Sequence, residues 1–116
     1  VIMFSFIKAF MNRPSIRNRR YQRVACEQVA ELDFPDKRIT LYGMVIEVSR
    51  GGALFREASR FILDRRRESV VLRAAGLEIP GIIVNVRDVG YGIRFNHEID
   101  EDTIARLADA RELKAA

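Results

Sequence analysis

Between residues 39 and 95 the chain is cut into short runs of β-branched and aromatic residues, each closed by glycine or another turn former. ITLYGMVIEVS (39–49) stops at Gly51-Gly52. A run over 69–73 stops at Ala74-Ala75-Gly76. A third, over 79–87 with the apolar stretch Ile82-Ile83-Val84, gives way to Gly90-Tyr91-Gly92 and then Ile93-Arg94-Phe95. Val, Ile, Tyr and Phe suit the pleated surface of a strand, and glycine punctuates it. Short strands at regular turn spacing predict a mainly β fold, a small antiparallel barrel.

The flanks of this region read less sharply. Residues 24–29 alternate weakly and suggest a first strand, followed by a turn at Asp33-Phe34-Pro35-Asp36. Residues 53–55 restart extended structure, and 56–69 fit helix or strand equally. Gly90-Tyr91-Gly92 reads as a turn or bulge. Ile104, Leu107, Ala108 and Leu113 fall near helical spacing within 99–114, behind Asp100, Glu101 and Asp102. Acids there complement a helix N-terminus, so a terminal helix is expected. At the other end Met3, Phe6, Ile7 and Phe10 have helical spacing before Pro14. The expected organisation is an amphipathic helix over 1–12, a basic linker over 13–23, and a barrel with its terminal helix over 24–116. The first helix has three possible roles: packing on the domain, docking a partner protein or a second copy, or lying on a membrane surface.

Composition narrows the class. With 116 residues and 48% hydrophobic content, the chain suits one domain with a real core. It holds one cysteine, Cys26, and one histidine, His97, so neither an internal disulfide nor a His/Cys metal cluster is expected. A reducing, cytoplasmic setting follows. The apolar opening VIMFSFIKAFM is eleven residues long, too short to span a bilayer. Catalytic Ser/His/Asp spacing, paired-Cys sites and a Lys-bearing phosphate loop are all missing, so no enzyme is expected.

The charge pattern is uneven. The net charge is +4, carried by 17 Arg against 3 Lys. RNRRYQRV (17–24) places Arg17, Arg19, Arg20 and Arg23 within seven positions. Such a segment is either a solvated tail or the place where an anion sits. Arginine's planar fork suits phosphates and guanine edges. Arg56, Arg60 and Arg65-Arg66-Arg67 read mainly as an exposed face.

Two motifs then stand out in order. RRYQR contains Arg19-x-x-x-Arg23, and EVSRGG contains Glu47-x-Ser49-x-x-Gly52 at the end of a strand. With the closing GYGIRF, they resemble the PilZ domain family, whose motifs are RxxxR and (D/N)xSxxG, over roughly residues 17–110. The resemblance implies a six-stranded antiparallel barrel with a C-terminal helix that binds the bacterial second messenger cyclic di-GMP, often as a stacked dimer. It assigns the ligand's phosphates and guanines to Arg19 and Arg23, with Arg20 beside them. It assigns a guanine edge to the segment carrying Glu47, Ser49, Gly51 and Gly52. Gly52 is expected to serve a turn by positive φ or by close backbone approach, and Ser49 to donate to a phosphate or bond the turn. Glu47 departs from the family's Asp or Asn by one methylene. Ordering of the linker on the ligand would reposition the N-terminal segment as the output. Two other readings stay open: a PilZ-like interaction module that binds no nucleotide, and an RNA- or DNA-binding protein using its arginines on phosphates.

Overall fold

The first strand shows how the barrel is built. In β1 (Val24–Phe34) the side chains of Gln28, Ala30, Leu32 and Phe34 are buried, while Glu27, Val29 and Glu31 are exposed. That is the period of two of a strand with one face on a core. It runs five residues further than the alternation over 24–29 suggests, and the turn is confined to 35–38. Asp33 stays in the strand because Arg73 and Thr40 both donate to its carboxylate.

The computed structural model describes residues 21–59 and 63–109. The expected helix over 1–12, the linker as far as Arg20, Arg60 and the end of the terminal helix lie outside the described residues.

Five further strands follow: β2 (Ile39–Val48), β3 (Gly52–Glu57), β4 (Ser69–Ala74), β5 (Leu77–Arg87) and β6 (Gly90–Phe95). They form a closed barrel in the order β1-β2-β3-β6-β5-β4, every pair antiparallel, with β4 returning to β1. Ala75 (φ 53°) and Gly76 (φ 76°) both take positive φ between β4 and β5, the backbone a tight two-residue hairpin requires. Gly90-Tyr91-Gly92 is not a turn. These residues open β6, and Tyr91 is fully buried. The register irregularity falls opposite them, between Ile83 and Asn85 of β5.

Leu32, Phe34, Phe55, Leu72, Ile83 and Tyr91 fill the interior. Residues 63–68, ambiguous by pattern, are neither helix nor strand. Leu63 N donates to Tyr91 Oη at 3.1 Å, the Arg65 guanidinium stands 4.9 Å from the Phe34 ring centre, and Arg67 N donates to Ile83 O at 2.7 Å. Helix α1 (Glu101–Ala108) begins at Asp100, whose carboxylate accepts from Thr103 N at 2.8 Å, a conventional N-cap. It lies against β1 and β2 and inserts Ile104 and Leu107 into the core.

Candidate functional site

The exit of β2 carries the second motif, and backbone bonds hold it to β6. Ser49 N donates to Gly52 O at 2.8 Å, Phe95 N to Gly51 O at 2.8 Å, and Ile99 N to Arg50 O at 2.9 Å. Inside the turn the nearly buried Ser49 hydroxyl accepts from Gly51 N at 3.3 Å and lies 3.4 Å from Gly52 O. These contacts are the turn bonding expected of Ser49 as one of its two roles.

Gly51 and Gly52 are glycines for different reasons. Gly52 lacks a positive φ. A Cβ on it would lie 2.2 Å from Ile93 O of β6, so it is required by close backbone approach. A Cβ on Gly51 would instead meet the Tyr21 ring at 3.0 Å. Tyr21, inside the Arg19-x-x-x-Arg23 motif, is therefore laid over the turn of the second motif. Its hydroxyl donates to Glu98, and Arg50 stands 5.8 Å from its ring centre while approaching Glu98 Oε1 at 3.5 Å.

Two residues on, Arg23 Nη1 donates to Glu47 Oε1 at 2.7 Å. The two motifs thus meet at an ion pair. Arg23, Glu47, Ser49 and the two glycines border one open cleft of about 570 Å³, within the range of small-molecule sites. Asn85 and Arg87 of β5 and Arg94 of β6, which pairs with Gly52, line the same cleft. Neither Arg87 nor Arg94 has an ion-pair partner among the described residues, so their charge is available to an anion.

Sequence reasoning missed Tyr21, Arg87, Arg94 and Glu98. Arg94 lies between buried Ile93 and Phe95, so alternation alone marks it as outward. Placing it beside the motif turn requires knowing that β6 pairs with β3. Of the arginines expected on an exposed face, Arg56, Arg66 and Arg67 are exposed and Arg65 is half-buried. Arg56 lies against Met44 Sδ at 3.5 Å, and Arg66 pairs with Asp64 at 2.6 Å. Arg66 and Arg67 line a separate groove that touches Arg94. Tyr42 is on β2 but 62% exposed. His97 is exposed and Cys26 is half-buried.

Cys26 sits behind Glu47 and points its Sγ at Val45 O, 3.4 Å away. Burial above all, and then the Glu47 carboxylate, push the thiol up from its ordinary 9.0 to about 11. At pH 8 the thiolate fraction is then about a hundredfold below that of a free cysteine, offset in part by higher nucleophilicity. Alkylation by iodoacetamide should run at least roughly ten-fold slower in the folded protein than in urea. The folded value lies above the unfolded one, so this thiol costs no stability below pH 9. Its contribution is lost as pH rises from 9 through about 11. Urea midpoints at pH 8 and pH 10.5, compared between wild type and Cys26→Ala, check the sign: the wild type should lose more.

Among the described residues no group of three or more His, Cys, Asp or Glu side chains is placed to hold a metal ion. No helix among them is long and apolar enough to cross a membrane.

The family model of the PilZ domain matches residues 17–111. Among solved structures, the crystal structure of the PilZ domain of CeSA from a cellulose-synthesizing bacterium superposes with a TM-score of 0.55 at 21% identity. The match covers 78% of this chain and 98% of that one, and at this identity it speaks for the barrel alone. No curated protein matches the sequence.

Proposed function

The chain belongs to the PilZ domain family, in general a family of cyclic di-GMP receptors, and from that premise we propose that it is itself a bacterial cyclic di-GMP receptor, a binding module rather than an enzyme. The observation that carries this reading is the meeting of both motifs at one cleft, with Arg23 2.7 Å from Glu47 beside the Ser49–Gly52 turn.

The chemistry fits the residues. Cyclic di-GMP presents two phosphates and two guanines. An arginine fork takes a phosphate in a charge-assisted pair or the O6 and N7 of guanine bidentately. Guanidinium planes also stack on purine faces. Arg23 supplies that fork at the cleft, and Arg87 and Arg94 add positive charge to its lining. Gly51 lets the Tyr21 ring lie over the turn, and Gly52 lets the backbone of β6 come close beside it. Arg19 and Arg20 lie just ahead of Tyr21 in sequence. In this reading they close over the ligand from the linker side, and that closure moves segment 1–12. Its apolar residues then engage or release a downstream protein or a second copy, in the cytoplasm.

Isothermal calorimetry with cyclic di-GMP at physiological salt tests the reading. The expected dissociation constant is about 1 μM or tighter, roughly −8 kcal/mol. A ratio of two ligands per chain would indicate a stacked dimer, and a ratio of one a single molecule. Absence of heat at high ligand concentration would overturn the receptor reading in favour of a nucleotide-free interaction module.

A further inference from the structure

The β1–β2 register shows why Arg23 and Glu47 meet. Ala25 pairs directly with Glu47, and Val24 with Val48. Arg23 stands two residues before Ala25, on the same face by the period of two. Arg23 therefore reaches Glu47 along the diagonal of this pair, Nη1 to Oε1 at 2.7 Å. Cross-strand diagonal neighbours lie about 7–8 Å apart at the backbone, a span that only long side chains bridge. Glu bridges it from β2. Asp, one methylene shorter, or Asn, without charge, would not hold the fork in the same way. The pair is also sheltered, its side chains 33% and 32% exposed, within the cleft.

We infer that Glu47 is a latch on Arg23: its carboxylate holds Nη1 of the guanidinium that an anionic ligand needs, and so sets the ligand concentration at which the site opens. This rests on the receptor reading above. The consequence for substitution runs against simple loss of a contact. If Glu47 were chiefly an acceptor for the ligand, removing its charge would weaken binding. As a latch, it competes with the ligand for Arg23 and also faces the ligand's phosphates with a like charge. Neutralising it at constant size therefore tightens binding.

The test uses the full chain and Glu47→Gln, with two readouts. In calorimetry with cyclic di-GMP, Glu47→Gln should bind about five-fold tighter than wild type, the ratio that about 1 kcal/mol for a partly exposed ion pair gives. Equal or weaker binding would overturn the latch. The second readout needs no ligand. Phenylglyoxal attacks the guanidine of arginine, and peptide mass spectrometry reports the rate at each site. Arg23 should be modified several-fold faster in Glu47→Gln than in wild type, with Arg94 as an internal control that does not change. An unchanged rate at Arg23 would overturn the latch regardless of binding. Silence of both proteins in calorimetry, with the rate at Arg23 still rising in the variant, would retract the receptor reading and leave the latch standing. The melting temperature of Glu47→Gln should fall by only a few degrees, the shift that losing a pair worth about 1 kcal/mol produces.

Discussion

Gly52→Ala should unfold at a markedly lower urea concentration than wild type, with a loss of about 3 kcal/mol or more. The added Cβ would lie 2.2 Å from Ile93 O and 3.3 Å from Ile93 C. Those are backbone atoms in a ladder, and no rotamer change removes them. Relief requires β3 to move away from β6, along the seam where Gly52 pairs with Arg94 and Ala53 with Ile93. That seam closes the barrel, and behind it lie fully buried Phe55 and Tyr91. Against a total stability of about 5–15 kcal/mol for a domain of this kind, the loss is large. Gly51→Ala is the matched comparison: its Cβ meets only the Tyr21 ring, at 3.0 Å, a side chain that can swing outward. Its midpoint should stay near that of wild type. Equal midpoints for all three proteins would count against close approach as the reason for Gly52.

The same comparison explains what was legible in the sequence. The resemblance to the family's two motifs picked out Glu47, Ser49, Gly52 and Arg23, and the β1–β2 register brings them together. Adjacent strands joined by one turn leave few alternatives. The expectation that Gly52 serves a turn by positive φ or by close approach could not be resolved, since both demands select glycine. Only the position of β6 decides. Gly90 and Gly92 misled for a related reason: glycine clusters mark turns, but here they begin a strand whose Tyr91 fills the core. β1 was read short because Pro35 and the acids at Asp33 and Asp36 are turn formers. The buried alternation through Leu32 and Phe34 and the bonds to Asp33 override them. The part of the cleft lined by β5 and β6 was invisible. Arg87 and Arg94 reach it through pairing of strands 3 and 6, distant in sequence, and no local pattern encodes that adjacency. Tyr21 was hidden in the opposite way, inside a motif whose variable positions are not expected to act.

Arg23→Ala should lower affinity for cyclic di-GMP by roughly a hundredfold or more, while shifting stability by no more than about 1 kcal/mol. The two halves of this expectation have different physical grounds. Stability should barely move because the partner lost, Glu47, is about one-third exposed and can return to water. An exposed or half-exposed ion pair contributes about 0–1 kcal/mol. Affinity should fall steeply because the guanidinium gives two parallel hydrogen bonds to one phosphate or guanine edge, and bonds to charged groups are worth about 1.5–3 kcal/mol each. Arg23→Lys separates charge from geometry. It keeps the positive charge but loses the fork, so it should recover only part of the affinity. Full recovery by lysine would mean that the cleft attracts its ligand by field alone, which would favour a phosphate-backbone reader over a guanine-specific receptor. Wild-type affinity in Arg23→Ala, with circular dichroism unchanged, would place the ligand elsewhere on the molecule. In that case the meeting of the two motifs would serve to fasten the segment around Tyr21 to the barrel, and Glu47, with no ligand to oppose, would be one half of that fastening.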